Sequence, residues 1–285
     1  MNQVNKPEPF LKWAGGKRAL LSKILPKIPT FEGRYFEPFL GAGAVFFSME
    51  TSKVKVVNDF NSELVETYRV IRDKLPALLR ELHTHENSKE HFLTVREWDR
   101  KPDFQRLSAV KRAARFIYLN KTCFNGLYRV NSQGFLNVPF GNYKRPNFLD
   151  VENLTAVSLF LRNNVELSAG SYLESTKKAT NKDFVYFDPP YDPVSATSSF
   201  VAYQDAGFSR DDQAQLRDEV LRLTEKGVPV LLSNSSTPFI RSLYGDKNLF
   251  KIDTVSVNRA ISASTAGRKP VNEVLVNNYR AIGLK

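Results

Sequence analysis

Short apolar runs alternate along this chain with longer stretches in which apolar residues recur at helical spacing. Tyr35-Phe36-Glu37 reads as a strand that passes through Gly41-Ala42-Gly43 into Ala44-Val45-Phe46-Phe47, where a helix is expected. Val54-Lys55-Val56-Val57 reads as a second strand, closing on Asn58-Asp59 and followed by a helix over 63–74. Further strands are expected at 184–187, 228–233, 250–257 and 271–277. One helical pattern starts at Lys17 and carries Leu20, Leu21, Ile24 and Leu25 ahead of Pro26. Another starts at Ser209, with Asp211 and Asp212 in its first turn and Gly227 closing it, and a third covers 238–243. Strands that alternate with helices predict an α/β fold.

From about residue 75 to 147 the pattern changes, and this stretch reads as an insertion. Charged helical segments run through Leu78-Leu79, Phe92-Leu93 and 109–119, the last carrying Lys111, Arg112 and Arg115. A Gly-, Asn- and aromatic-rich stretch follows over 120–145, punctuated by Asn125-Gly126 and Gln133-Gly134 as a hairpin or compact loop. Amides and Arg read base edges, aromatics wedge or stack, and Lys or Arg neutralise phosphate. The competing reading is a hairpin whose aromatics form a satellite core. His83, His85 and His91 crowd a polar stretch that reads as a solvated helix-to-helix connection, and no role is assigned to them.

The densest chemistry lies at Phe184-Val185-Tyr186-Phe187-Asp188-Pro189-Pro190-Tyr191. Two prolines cannot continue a central strand, so the sheet must stop there, leaving a carboxylate, free carbonyls and a ring together. In open α/β sheets the carboxyl ends of strands are where ligands sit. Acceptors beside a stacking face suit a flat base with an exocyclic amino group. Gly15-Gly16-Lys17 lacks the spacing and the following Ser or Thr of a phosphate loop. The loop at Gly41 and Gly43 lacks a third glycine, Phe46 standing in its place, which disfavours a pyrophosphate cradle. Asp59, closing the second strand, is placed to bind a ribose diol, or else merely caps the next helix. Together these features describe a nucleoside site without a diphosphate, which S-adenosylmethionine fits better than a nicotinamide cofactor. Two small or polar loops, 194–200 and 258–269, are candidates for a mobile segment near the site and a phosphate-gripping hairpin.

Charge narrows the partner. The chain carries 41 Lys and Arg against 30 Asp and Glu, net +11, which favours polyanions. No apolar run approaches the ~20 residues of a bilayer span, so no membrane partner is expected. A single cysteine, Cys123, leaves no internal disulfide and no Cys-rich metal site, and a cytoplasmic location is expected.

The order of Phe10-Leu11-Lys12-Trp13-Ala14-Gly15-Gly16-Lys17, the 36–47 loop, Asn58-Asp59-Phe60-Asn61, the stretches 124–131 and 137–146, and Asp188-Pro189-Pro190-Tyr191 resembles the DNA adenine-N6 methyltransferases of the Dam type. The resemblance covers nearly the whole chain, in the motif order of the α group of amino-methyltransferases. It implies a Rossmann-like, seven-stranded, mostly parallel methyltransferase sheet with an antiparallel final hairpin. The catalytic, S-adenosylmethionine-binding domain would be 1–74 with 148–285, and 75–147 the DNA target-recognition domain. By position, Trp13, Lys17, Asp59 and Asp188 match cofactor-contacting residues, with Glu37, Phe39, Gly41 and Gly43 in the loop beside the methionine part.

Asp188, Pro189, Pro190 and Tyr191 match the catalytic loop of that family. Lys12, Asn125, Leu127, Arg129, Pro139 and Tyr143 match positions that contact DNA, and Phe124 stands where many relatives carry a base-inserting Tyr. The implied reaction is methylation of adenine N6 in double-stranded DNA, within GATC, on a base flipped into the Asp188–Tyr191 pocket, with no metal. A cognate restriction endonuclease acting at the same site is a candidate partner, and association with the nucleoid would follow from DNA binding. The alternatives are an amino-methyltransferase acting on RNA or a protein amide, and a non-catalytic DNA-binding regulator of the same fold.

Overall fold

The computed structural model describes residues 5–126, 128–194, 208–257 and 271–284. Seven strands form one sheet: β1 (Tyr35–Glu37), β2 (Lys55–Asp59), β3 (Val165–Ala169), β4 (Phe184–Phe187), β5 (Val230–Ser235), β6 (Lys251–Val257) and β7 (Val271–Asn277). Their order is β3-β2-β1-β4-β5-β7-β6. The first five are parallel, whereas β7 runs antiparallel to both β5 and β6. This is an α/β, Rossmann-like sheet with an antiparallel final hairpin. The strand order reverses between β1 and β4, so the loops leaving their carboxyl ends open a crevice at that point.

Side chains alternate across the sheet with the period of two that strands impose. Tyr35, Val57, Phe184, Tyr186, Leu231 and Leu275 face one buried cluster, and Phe36, Val56, Val185, Phe187, Val230 and Leu232 face the other. Eight helices flank these strands among the described residues: α1 (Leu21–Ile24), α2 (Ser62–His83), α3 (Lys89–Arg96), α4 (Ala109–Thr122), α5 (Val151–Leu161), α6 (Tyr172–Thr176), α7 (Arg210–Glu225) and α8 (Pro238–Leu243). Apolar residues of α2, α4 and α5 cover the first face, and those of α7 and α8 the second. No helix among the described residues is long and apolar enough to cross a membrane.

Helix α2 is longer than the 63–74 segment that its sequence predicts. Pro76 lies inside it, and Lys74 departs from helical geometry at φ −133° and ψ 29°. A proline ring and its missing N–H break the ladder to the carbonyl four residues earlier. That carbonyl, of Arg72, accepts instead from Arg162 Nε at 2.9 Å and from Ser158 Oγ at 3.4 Å. Beyond the kink Leu75, Leu78 and Leu82 stay in the main core with Ala113, Phe116 and Ile117 of α4. A third, smaller cluster gathers Phe92, Val95, Tyr118, Leu119, Cys123, Leu136 and Val138 under the 120–145 stretch, a compact hairpin loop held by isolated antiparallel bridges Cys123–Phe140 and Val130–Leu136.

Several expectations change at this level. The helix expected at 44–47 is only a 3-10 turn, Phe46–Ser48, because Met49 is already extended at ψ 103°. The basic residues of α4 are spent inside the protein. Arg115 is buried, with Nη2 at 2.7 Å from Asp99 Oδ2 and Nε donating to the Val95 carbonyl at the end of α3. Arg112 is paired with Glu66, and Lys111 sits over the Trp98 ring. Nor is the histidine stretch solvated throughout. His85 is buried, stacked on Tyr118 at 4.5 Å, and its Nδ1 is 2.9 Å from His91 Nε2. Desolvation drives its pKa from 6.5 to about 4, so the ring is neutral.

Candidate active site

Three strand ends converge on the crevice. Strand β4 delivers Asp188, whose Oδ1 accepts from Ser233 Oγ of neighbouring β5 at 2.8 Å and lies 2.7 Å from Lys17 Nζ. Ser233 Oγ is also 2.9 Å from the hydroxyl of Tyr186, so the carboxylate is fixed from below by two strands. The same ammonium lies 4.5 Å from the centroid of the Tyr191 ring. Tyr191 in turn donates its hydroxyl to Glu273 Oε2 of β7 at 3.0 Å. Burial lifts the Asp188 pKa above the usual carboxylate range, against the opposing pull of Lys17.

The prolines terminate β4 and leave their carbonyls in the loop. That of Pro190 accepts from Gln213 Nε2 at 2.8 Å, and Gln213 Oε1 accepts from Asn234 Nδ2 at 3.0 Å. Ser235 Oγ donates to the Asp192 carbonyl at 2.7 Å. The carbonyl of Pro189 has no donor among the described residues and stays available.

Strand β1 ends on Glu37, which is buried, receives the Tyr35 hydroxyl at 2.6 Å and has its pKa pushed well up by desolvation. The loop that follows turns at Gly41, φ +50°, where an added Cβ would lie 2.9 Å from Trp13 Cδ1. Only glycine allows both that backbone and the close approach of the indole. At the end of β2, Asp59 Oδ2 accepts from the Gly41 amide at 2.8 Å, and Oδ1 from Asn61 at 2.9 Å. Asp59 therefore braces the loop, while each oxygen keeps a second lone pair for a ligand. Burial raises its pKa too. Asp188 and Glu37 are thus two desolvated carboxylates sharing the one ammonium of Lys17, while Asp59 is desolvated with backbone amides as its partners, a balance that suits a ligand bringing positive charge.

Trp13 stands between this crevice and the hairpin, stacked on Tyr128 with centroids 5.5 Å apart. Asn120, in the last turn of α4, accepts from the Lys12 amide at 2.9 Å and donates to the Lys12 carbonyl at 2.8 Å. Lys12 Nζ then reaches over the Tyr143 ring at 4.2 Å, and the Tyr143 hydroxyl accepts from the Asn125 amide at 3.0 Å. The Phe124 amide donates to the Pro139 carbonyl at 2.8 Å, which leaves the Phe124 ring 50% exposed. Arg129 is exposed, its guanidinium donating twice to the Asn137 carbonyl, at 3.1 and 2.8 Å.

The structure thus brings Trp13, Lys17, Glu37, Gly41, Asp59, Asp188 and Tyr191 to one crevice, and Lys12, Phe124, Asn125, Pro139 and Tyr143 to an adjoining surface. Gly43, φ +73°, packs closely on Phe46 and Tyr68, while Phe39 packs among Tyr172, Phe187 and Phe208 on the opposite face of the sheet. Leu127 lies outside the described residues, as do 195–200 and 258–269 of the two candidate loops. Phe60, named in sequence only as part of the 58–61 motif, presents a ring 84% exposed beside Asp59, and an aromatic next to a strand-end acid is its local signal. Ser233, Gln213 and Glu273 were missed for want of any local signal.

The model of the D12 class N6 adenine-specific DNA methyltransferase family matches residues 13–261. The chain is 46% identical over 281 residues to the type II methyltransferase M1.LlaDCHI of Lactococcus lactis subsp. cremoris, covering 98% of this chain and 97% of that protein. It is 39% identical to the type II methyltransferase M.MjaIII of Methanocaldococcus jannaschii, over 95% of this chain and 99% of the relative. It is 37% identical to the DNA adenine methylase of Escherichia coli strain K12, over 95% of each chain. End-to-end similarity of this kind assigns the chain to the D12 class of N6 adenine-specific DNA methyltransferases.

Proposed function

We propose that this enzyme transfers a methyl group from S-adenosylmethionine to N6 of adenine within GATC in double-stranded DNA, on a base flipped out of the duplex. The observation that carries the reading is the grouping of the Asp188 carboxylate, the open Pro189 carbonyl and the Tyr191 ring at one strand end. Adenine's amino lone pair is delocalised into the ring, which makes it a poor nucleophile. Asp188 and the Pro189 carbonyl accept its two N–H bonds, drawing the nitrogen toward a tetrahedral shape and aiming its lone pair. Tyr191 stacks on the extruded base, which costs a few kcal/mol to unstack. As the bond from N6 to the methyl carbon forms, the carbon–sulfur bond breaks and S-adenosylhomocysteine leaves; Asp188 stabilises the positive charge on the amine until its surplus proton passes to solvent.

The bound cofactor supplies an electrophilic methyl on a sulfonium. Asp59 would hold its ribose diol, and the exposed Phe60 ring would offer its nucleobase a stacking face. Glu37, Gly41 and Trp13 line the methionine end, where the desolvated carboxylates of Glu37 and Asp188 suit its ammonium and sulfonium charges, and Gly43 shapes the loop behind them. Phe39 supports the same loop from the far face. Residues 75–147 act as the DNA target-recognition unit. From it Asn125, Leu127, Arg129, Pro139 and Tyr143 contact the duplex, joined by Lys12 of the catalytic domain, and Phe124 enters the stack as an apolar wedge.

Plasmid DNA incubated with the enzyme and cofactor, then digested with nucleases blocked by or dependent on adenine methylation at GATC, tests the reading. Protection from the first and sensitivity to the second are expected. Unaltered cleavage by both would refute the GATC assignment.

A further inference from the structure

Tyr191 stands between two carboxylates. Its hydroxyl donates to Glu273 Oε2 at 3.0 Å, while Lys17 Nζ bridges its ring, 4.5 Å from the centroid, to Asp188 Oδ1 at 2.7 Å. Asp188 already accepts from Ser233 and Lys17, both at Oδ1. A further donor on Asp188 would take up the acceptor capacity that an incoming amine requires. Glu273 is 7% exposed and sits on antiparallel β7, where its partner is Ser235 of β5, two residues beyond Ser233. Adjacent strands therefore hold the two ends of the 188–191 segment separately.

We propose that Glu273 is a positioning residue that keeps the Tyr191 hydroxyl off Asp188, leaving Asp188 Oδ2 for the target amine. The inference rests on the reading under Proposed function and deepens it. A neutral residue at 273 leaves the phenol one strong acceptor, the Asp188 carboxylate, and charge-assisted bonds of this kind are the strong ones. The damage should then come from the phenol oxygen, not from lost packing. Removing that oxygen should repair it.

Wild-type, E273L, Y191F and Y191F/E273L enzymes are compared in single-turnover methylation of duplex DNA with labelled cofactor, with thermal melting as a control for folding. E273L is expected to slow transfer about tenfold, the worth of one diverted hydrogen bond, with cofactor affinity unchanged. Y191F/E273L is expected to be faster than E273L and to match Y191F alone. A double variant no faster than E273L overturns the inference, as does E273L at the wild-type rate. Should E273L fail to melt cooperatively, E273Q replaces it, since its amide oxygen is a weaker acceptor of the same shape. Its smaller loss must likewise be reversed by Y191F, and lack of reversal overturns the inference. Absence of transfer by the wild-type enzyme, read first, strikes the parent reading itself.

Discussion

Lys17 Nζ is 2.7 Å from Asp188 Oδ1, so an ammonium stands beside the acceptor and over the neighbouring Tyr191 ring. Lys17 is 5% exposed, and it is the cation that opposes the desolvation of Asp188. The carboxylate must be ionised to accept from an amine, and burial has raised its pKa. Activity therefore falls as pH drops through that raised value. Replacing Lys17 with Gln removes the counter-charge and raises the pKa further. The acid limb of kcat against pH should move to higher pH in K17Q; an unmoved limb would count against the pairing.

Asp188→Ala deletes the acceptor while leaving the Tyr191 ring. Methyl transfer should drop by about 10²–10⁴-fold, the usual range for a positioned acid–base group. Asp188→Asn keeps the shape but presents a donor as well, and should be nearly as slow. Incorporation of labelled methyl into duplex DNA measures both, and full activity in either variant refutes the assigned role.

Arg115 and Arg129 are both in the region that sequence marks as basic, and they should behave in opposite ways. R115A removes one of the two guanidinium groups on Asp99, leaving Arg100, and strips the Val95 and Arg96 carbonyls of a buried donor; it should cost about 1–3 kcal/mol of stability. R129A removes an exposed guanidinium and should lower DNA retention with a nearly unchanged melting temperature. Denaturant titration and electrophoretic retention of a GATC duplex separate the two.

Asn120→Ala should loosen the segment at Lys12, because the amide and carbonyl it satisfies are left without their partner. An unpaired buried polar group costs about 1–3 kcal/mol. A calorimetric melt unchanged from wild type would show the contact to be dispensable.

His85 links stability to pH. Its pKa is depressed from 6.5 to about 4 by desolvation, with His91 and Lys111 opposing its charge and Trp98 and Tyr118 packed on the ring. A group whose folded pKa is depressed favours the folded state above its unfolded value. As pH falls from about 6.5 toward 4 the unfolded chain binds the proton first, and stability is lost over that window. Melting temperature should fall less steeply across it in H85Q than in the wild-type protein.

Much of this was legible in the chain because the signals were local. Pro189 and Pro190 force the stop of β4, and Gly41 and Gly43 force the turn after β1. Asp59 is at a strand end that its preceding valines define. Strand β3 is not legible in the chain, since as an edge strand it carries no run of buried residues. His85 and Arg115 owe their burial to partners on other helices, and composition around them points the other way. Ser233 and Glu273 meet the 188–191 segment only through strand register, which a linear pattern does not encode. The resemblance of ordered motifs, and not spacing alone, carried the cofactor and the DNA surface.

Lys12 and Trp13 are joined by one peptide bond, the first reaching Tyr143 and the second lying against Gly41. No slack separates them, and Asn120 clasps the backbone at the junction. A rotation of that short bridge cannot tighten one side without shifting the other. On the proposed assignment, a duplex ordering the Lys12 side would shift the Trp13 side where the methyl donor binds, and the two should bind as a thermodynamically coupled pair.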